Sequence, residues 1–474
     1  MPVLSHPGVP AAPIHERTVY ERAVDVLHKN VVSLAMDNGK GKQPYRHTMP
    51  SPQFYVHQWL WDSCMHAMAL VHVDRARAYD ELRSLIAGQW SNGNIGAITY
   101  NPQETSYYSK AENWHTDAFA RGTIKTTGIT QPPLLATAVE YVYRHSPRDA
   151  AANSFLTDLL PAVCRYHHFL HRYRDPERSH LLTVIHPWES GLDNSPRWDS
   201  LLSRINVADI PQSIKDDVDQ NRSDSTVGDA THRPSQDEYY KYMWLVHVGN
   251  EHRWDFDALV PSSPFAIKDV LFNSLWIKAN DALSTLLHSL DQDEGPYQEW
   301  ADASRAALGE LWRDEHRQHC DLDVTQGRSD VVVQSTVAIF APLWSGAVNG
   351  KQLDALLDRL VDTNEFWTDY PVPSTALNST TFQLVKYWRG PTWPITNMFV
   401  IEGLRRYAKV SARAAALAED LSLRTLAMIE EHGFFEYYNP ATGDEIAEAR
   451  AALGFGSFSW SAAVYIYLAH RAEE

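Results

Sequence analysis

His186-Pro-Trp-Glu-Ser-Gly-Leu-Asp-Asn-Ser-Pro-Arg-Trp-Asp199 is the stretch around which the chain is organised. It carries three carboxylates (Glu189, Asp193, Asp199), two indoles (Trp188, Trp198) and the guanidinium of Arg197. Gly191 and Pro196 interrupt any regular helix or strand, so the segment reads as an ordered loop. Acids interleaved with tryptophans suit sugar chemistry. Pyranose C–H faces stack on indoles, and hydroxyls and glycosidic oxygens need carboxylates. A capping turn with an exposed salt bridge would have the same composition, so the rest of the chain has to decide.

On either side the chain is mostly helical in pattern. Apolar positions recur at helical spacing over residues 16–37, where Val19, Ala23, Val26, Leu27, Val31 and Leu34 form a stripe. Further helices are expected at 65–73, 76–89, from Gln131-Pro-Pro133 to 145, and at 152–175, 236–248, 266–289, 294–313, 334–345, 350–361, 394–408, 411–431 and 457–472. Asp62 or Ser63 could serve as an N-cap of the helix that follows. Few segments alternate as strands do. The helices arrive in pairs, with polar, Trp-rich loops after every second one or so. That order suits a closed ring of helical hairpins with its loops gathered at one end. No stretch has linker composition, so residues 1–474 read as one domain. Excursions near 90–130 and 185–235 are expected to cap the active site.

Composition narrows the function. Lys and Arg number 42 against 59 Asp and Glu, a formal charge of −17. An acidic surface argues against nucleic acid and anionic membrane as partners and fits a small ligand. Tryptophan is abundant, at 16 residues, beyond what a core of this size needs. Cys64, Cys164 and Cys320 show neither a disulfide framework nor metal spacing, so no metal or cofactor is expected. Met1 to Pro13 is polar and proline-rich rather than leader-like, and no run of eighteen apolar residues exists. Cytoplasmic residence follows as the default. Oligomeric state leaves no mark in the sequence.

Five segments, in order, resemble glycoside hydrolase family 63: Trp59-Leu-Trp-Asp62; Ile129-Thr-Gln-Pro-Pro133 with Trp188 to Asp199; Arg233-Pro-Ser-Gln-Asp-Glu-Tyr239; Tyr387-Trp-Arg-Gly-Pro-Thr-Trp-Pro394; and Phe435-Glu-Tyr-Tyr-Asn-Pro440. Within it the chain is similar to bacterial mannosylglycerate and glucosylglycerate hydrolases. The resemblance implies an all-α (α/α)6 barrel and an inverting α-glycosidase. It implies Asp193 as general acid and Glu436 as general base. It implies a sugar held by Tyr55, Trp59, Trp61, Asp62, Gln131, Trp188, Tyr387, Trp388 and Trp393. It places Arg233 and Tyr239 on a glycerate carboxylate. Two departures touch the leaving group. Ile95-Gly96-Ala97 stands where relatives carry Ile-Pro-His, and Phe458 stands where glycerate-specific relatives carry Gln.

Read as chemistry, inverting hydrolysis needs one protonated carboxyl and one carboxylate, roughly 6.5–9.5 Å apart, with a water between. Aromatic neighbours raise a carboxyl's pKa, and both Asp193 and Glu436 have them. Asp62 is expected to stay ionised and accept sugar hydroxyls. Glu189 and Asp199 are expected to be structural, pairing with Arg197 or capping a helix. Arg389 either binds substrate or braces its loop. Arg233 either grips an acidic aglycone or pairs with Asp237 or Glu238. A neutral α-glucoside, such as a disaccharide or glucosylglycerol, is the alternative substrate. A sugar epimerase would cluster its histidines in the Trp-rich loops, which this chain does not do. A non-catalytic binding protein would have lost one of the two carboxylates. Glucose and mannose differ only at the 2-hydroxyl, and the motifs suit both.

Overall fold

The computed structural model describes residues 18–39, 41–224, 229–441 and 452–471. Met1 to Pro13 lies outside them, as do residues 225–228 of the second excursion. Six helices pack side by side: Leu60–Leu70, Leu135–Arg144, Val270–Ser289, Ala341–Ser345, Pro394–Tyr407 and Ser459–Arg471. Each touches the next and the last returns to the first, so the ring closes. Six others alternate with them along the chain: Val19–Lys29, Arg75–Ala87, Ala150–Tyr173, Tyr297–Gly309, Gly350–Leu360 and Ala412–His432. This is an (α/α)6 barrel.

Sequence pattern separates the two rings. Every residue of Leu60–Leu70 is buried, as is each residue from Pro394 to Leu404. A helix that is mostly apolar and leaves no face for water sits inside. Ala412–His432 instead buries Ala414, Ala418, Leu421, Thr425 and Met428, one stripe of a surface helix. Caps set the starts. Thr18 closes a capping box with Glu21, and Asp149 accepts the amide of Ala152.

Three expectations need correcting. The stripe from 16 to 37 is two elements. Its helix stops at Lys29, and Val31–Asp37 pairs antiparallel with Lys42–Thr48. Val31 and Leu34 fit helical spacing, but the β-branched pair Val31-Val32 begins a strand. The polar stretch 200–235 contains a helix, Gln212–Asn221, that packs on Gln236–Glu251. Finally, Asp62 and Ser63 do not cap. Trp59 occupies the N-cap of Leu60–Leu70, and Asp62 lies buried in the first turn.

The active-site loop rests on a small antiparallel sheet of four very short strands, Asp330–Val332, Asp321–Asp323, Ile267–Lys268 and Thr183–Val184 in spatial order. The chain leaves Val184 and enters the loop two residues later.

Candidate active site

The loop is pinned at both ends by buried ion pairs. Glu189 takes both terminal nitrogens of Arg174 and also accepts the amides of Ile185 (2.8 Å) and Thr130 (3.2 Å). Arg197 reaches into the sheet, donating to Asp321 at 2.7 and 2.6 Å and to Asp269 at 2.5 Å. Asp199 pairs with Arg389, so Arg389 braces this loop. Glu189 and Asp199 are therefore structural, but neither pairs with Arg197. Their partners come from the helix end at Arg174 and from the loop before Pro394. Gly191 has φ +76°, and a Cβ there would lie 2.6 Å from the Trp61 ring. Only glycine lets the loop close over that indole. The Tyr242 hydroxyl donates to the Asp193 carbonyl (3.0 Å), and the Trp388 amide donates to Asn194 (3.1 Å). Asp193 is thus held from both sides.

Glu436 sits on Phe435–Tyr438, which pairs antiparallel with Ala452–Gly456. Gly454 has φ +71°, and a Cβ there would lie 2.7 Å from both Glu436 Cβ and the Tyr437 ring. The Trp460 indole donates to the Glu436 carbonyl (3.0 Å). The carboxylate accepts the Tyr55 hydroxyl at 2.9 Å and the Phe455 amide at 3.4 Å. Arg233 Nη1 lies 3.3 and 3.4 Å from its two oxygens. Arg233 Nη2 donates to the Tyr55 hydroxyl at 2.5 Å, and its guanidinium lies 4.3 Å from the Tyr387 ring centre. Its Nε is 3.5 Å from Asp224, which is itself clamped by Arg222 (2.6 and 3.1 Å) and the Tyr239 hydroxyl (3.0 Å). Arg233 does not pair with Asp237 or Glu238. Ser235 takes Glu238 in a capping box.

These residues line one cavity, with about 770 Å³ of non-atom space counted out into the solvent at its mouth. Its walls include Tyr55, Trp59, Trp61, Asp62, Gln131, Trp188, Asp193, Arg233, Tyr239, Tyr387, Trp388 and Glu436. Trp59, Trp61, Asp62 and Gln131 stand at or just before the N-terminal ends of Leu60–Leu70 and Leu135–Arg144, where the peptide dipoles favour negative charge. Of the expected sugar contacts, Trp393 alone does not line the cavity. It lies fully buried behind Trp388, stacked at 3.5 Å between ring centres, and backs the wall instead of forming it. The departures Ala97 and Phe458 do line the cavity. Tyr107, Trp114 and Trp460, to which the sequence assigned no individual role, stand in the wall, and Asp224 lies behind it. Tyr107 and Trp114 lie in the first of the two excursions expected to cap the site. Asp224 lies in a run of polar residues with nothing to single it out.

Electrostatics distinguishes the carboxyls. Burial pushes Asp193 up to about 8; Arg233 opposes this and the charge of Glu436 adds to it. At neutral pH Asp193 holds its proton. Burial also raises Glu436, against Arg233, the Tyr55 hydroxyl and the Phe455 amide, which all favour its ionised form. Asp62 departs from expectation. Burial, with Glu436 and Glu81 nearby, raises its carboxyl well above the usual range, so it favours the neutral form. It then offers a sugar one donor as well as acceptors. Among the described residues no group of three or more His, Cys, Asp or Glu side chains is placed to hold a metal ion. No described helix is long and apolar enough to cross a membrane.

A proton-bearing carboxyl and a cation-held carboxylate in one aromatic pocket, at the mouth of a double helical ring, meet the needs of glycosidic hydrolysis. In class, the molecule is an inverting glycoside hydrolase built on an (α/α)6 barrel. Residues 55–461 match the family described as the mannosylglycerate hydrolase MGH1-like glycoside hydrolase domain, and the chain belongs to that family. The mannosylglycerate hydrolase of Thermus thermophilus is 35% identical over 89% of this chain and 96% of its own length. A glucosylglycerate hydrolase of Mycolicibacterium hassiacum is 30% identical over 88% and 93%. A crystal structure of a GH63 mannosylglycerate hydrolase from Thermus thermophilus, in complex with Tris and D-glycerate, matches with a TM-score of 0.81. It is 32% identical and covers 95% of this chain and 100% of that one.

Proposed function

We propose that this protein cleaves the α-glycosidic bond of glucosylglycerate or mannosylglycerate, with Asp193 as acid and Glu436 as base. Asp193 gives its proton to the glycosidic oxygen as that bond breaks. Glu436 takes a proton from water as the water oxygen bonds to the anomeric carbon from the opposite face. Trp59, Trp61, Asp62, Gln131, Trp188, Tyr387 and Trp388 hold the sugar. No cofactor takes part. The whole chain acts as one catalytic unit, working in the cytoplasm, with both excursions closing over the pocket.

The observation that carries the aglycone assignment is Arg233. It is 5% exposed, on the cavity wall, within reach of Glu436 and Tyr55. A guanidinium held there suits an incoming carboxylate, which it can grip bidentately. The Tyr239 hydroxyl proton is directed at Asp224, which leaves a lone pair for an aglycone hydroxyl. Ala97 and Phe458 favour the second reading, a neutral α-glucoside, because they make the adjoining wall apolar. Glucosylglycerate, mannosylglycerate and neutral α-glucosides, compared at equal concentration, separate the two. Arg233→Ala should cost the glycerate glycosides roughly 2–4 kcal/mol in kcat/KM, the scale of a truncated charge pair. Preferential turnover of a neutral glucoside by the unmodified enzyme would overturn the glycerate assignment.

A further inference from the structure

Arg233 faces two tasks at once. It stands where an acidic aglycone would bind, and it already holds the carboxylate assigned as base. Nη1 meets Glu436 and Nη2 meets Tyr55, while Nε stands 3.5 Å from Asp224 without a hydrogen bond. A ligand carboxylate gripped through both Nη atoms competes with these protein contacts for the cation. The contacts differ in how readily they yield. Tyr55 is met at 2.5 Å. Asp224 keeps Arg222 and Tyr239 whatever Arg233 does. The Glu436 contacts, at 3.3 and 3.4 Å, are longer than the roughly 2.7–2.9 Å of a well-formed charged bond. Glu436 also keeps Tyr55 and the Phe455 amide after Arg233 leaves.

We propose that Arg233 gates the base: it restrains Glu436 in the free enzyme, and the carboxylate of an acidic aglycone draws it off, freeing Glu436 to activate water. This rests on the assignment of Glu436 and on the glycerate reading above. Selectivity for an acidic glycoside then lies in turnover as well as in binding. A neutral glycoside can fill the pocket, but it leaves Glu436 paired with its cation and a weaker base.

The charged and titratable groups around Glu436 fix the sign. Arg233 is the cation. Asp62 and Asp193 are the neighbouring carboxyls, and Tyr55, Tyr387 and Tyr437 are the phenols. Arg233 favours the ionised form of Glu436. Withdrawing it, and bringing a ligand carboxylate near, both raise the pKa of the base. A base works deprotonated, so turnover fails as pH falls through its pKa. The acidic limb of kcat therefore moves to higher pH on an acidic substrate.

The test compares kcat–pH profiles of the unmodified enzyme on α-glucosyl-D-glycerate and α-glucosylglycerol, which share the sugar and differ in aglycone charge. The acidic limb should lie about one pH unit higher on the glycerate substrate. R233Q should raise the limb on glucosylglycerol by a similar amount, which measures the shift that withdrawal of Arg233 produces. Coincident limbs in the unmodified enzyme, where folding is not in question, would overturn the gate. So would a glucosylglycerol limb that R233Q leaves in place. The underlying reading fails separately, and takes the inference with it, if E436Q keeps its turnover or if glucosylglycerate goes uncleaved.

Discussion

Asp193→Asn should disable the enzyme and stabilise the protein, the second effect growing with pH. The side chain keeps its shape and loses only its titration. In the folded state burial holds the Asp193 carboxyl up at about 8. In the unfolded chain an aspartate titrates near 3.9. As pH rises above about 3.9 the unfolded state therefore loses its proton first. The folded wild type thus loses relative stability until the pH reaches about 8, where the folded carboxyl ionises too. Between pH 6 and pH 9 two of those units apply, about 2.7 kcal/mol at about 1.36 kcal/mol each. Asp193 is of intermediate exposure because part of it faces the cavity, so about 2 kcal/mol is the working figure. Urea unfolding of both proteins at pH 6, 7.5 and 9 measures it. The variant's advantage should widen by about that amount across the series, while activity falls on the order of 10²–10⁴-fold. An advantage independent of pH would mean that Asp193 ionises as an ordinary aspartate. The physical basis for its role as the acid would then be gone.

Other expectations follow from the same geometry. E436Q should lower kcat by at least about 10²-fold with the fold retained, and near-wild-type turnover would remove Glu436 from the reaction. In wild type, kcat/KM should decline above about pH 8 as Asp193 loses its proton, and a profile still flat at alkaline pH would contradict the acid assignment. Gly454→Ala should cost on the order of 1–3 kcal/mol and disturb activity as well, because φ is +71° and the new methyl meets Glu436; unchanged melting and turnover would show that the strand gives way freely. Glu189→Ala leaves Arg174 buried without its partner and should cost about 3–5 kcal/mol by urea unfolding, whereas a loss below about 1 kcal/mol would mean the loop is held by other contacts.

The ring was legible because its signal is redundant. Inner helices such as Leu60–Leu70 are mostly apolar with no polar face, and outer ones such as Ala412–His432 repeat at three and four residues. The loop motifs were legible because tryptophans and acids rarely crowd together without a site. Short-range periodicity could not reveal what depends on distant partners. The strands of the loop's sheet are two or three residues long, too short to alternate visibly. Arg197 lies in the same loop as Glu189 and Asp199, yet it pairs with Asp269 and Asp321, 72 and 124 residues away. Trp393 and Trp388 share one motif, and only packing shows that the first backs the second. The ionisation of Asp62 is decided by burial among other carboxyls, which a one-dimensional reading cannot weigh.

The most direct test is the anomer released. Proton NMR of wild-type enzyme mixed with α-glucosylglycerate or α-mannosylglycerate, recorded before mutarotation, follows the anomeric signal as it forms. Inverting hydrolysis by Asp193 and Glu436 predicts the β-sugar first, together with free glycerate. First appearance of the α-sugar, or no release from either substrate, would contradict it.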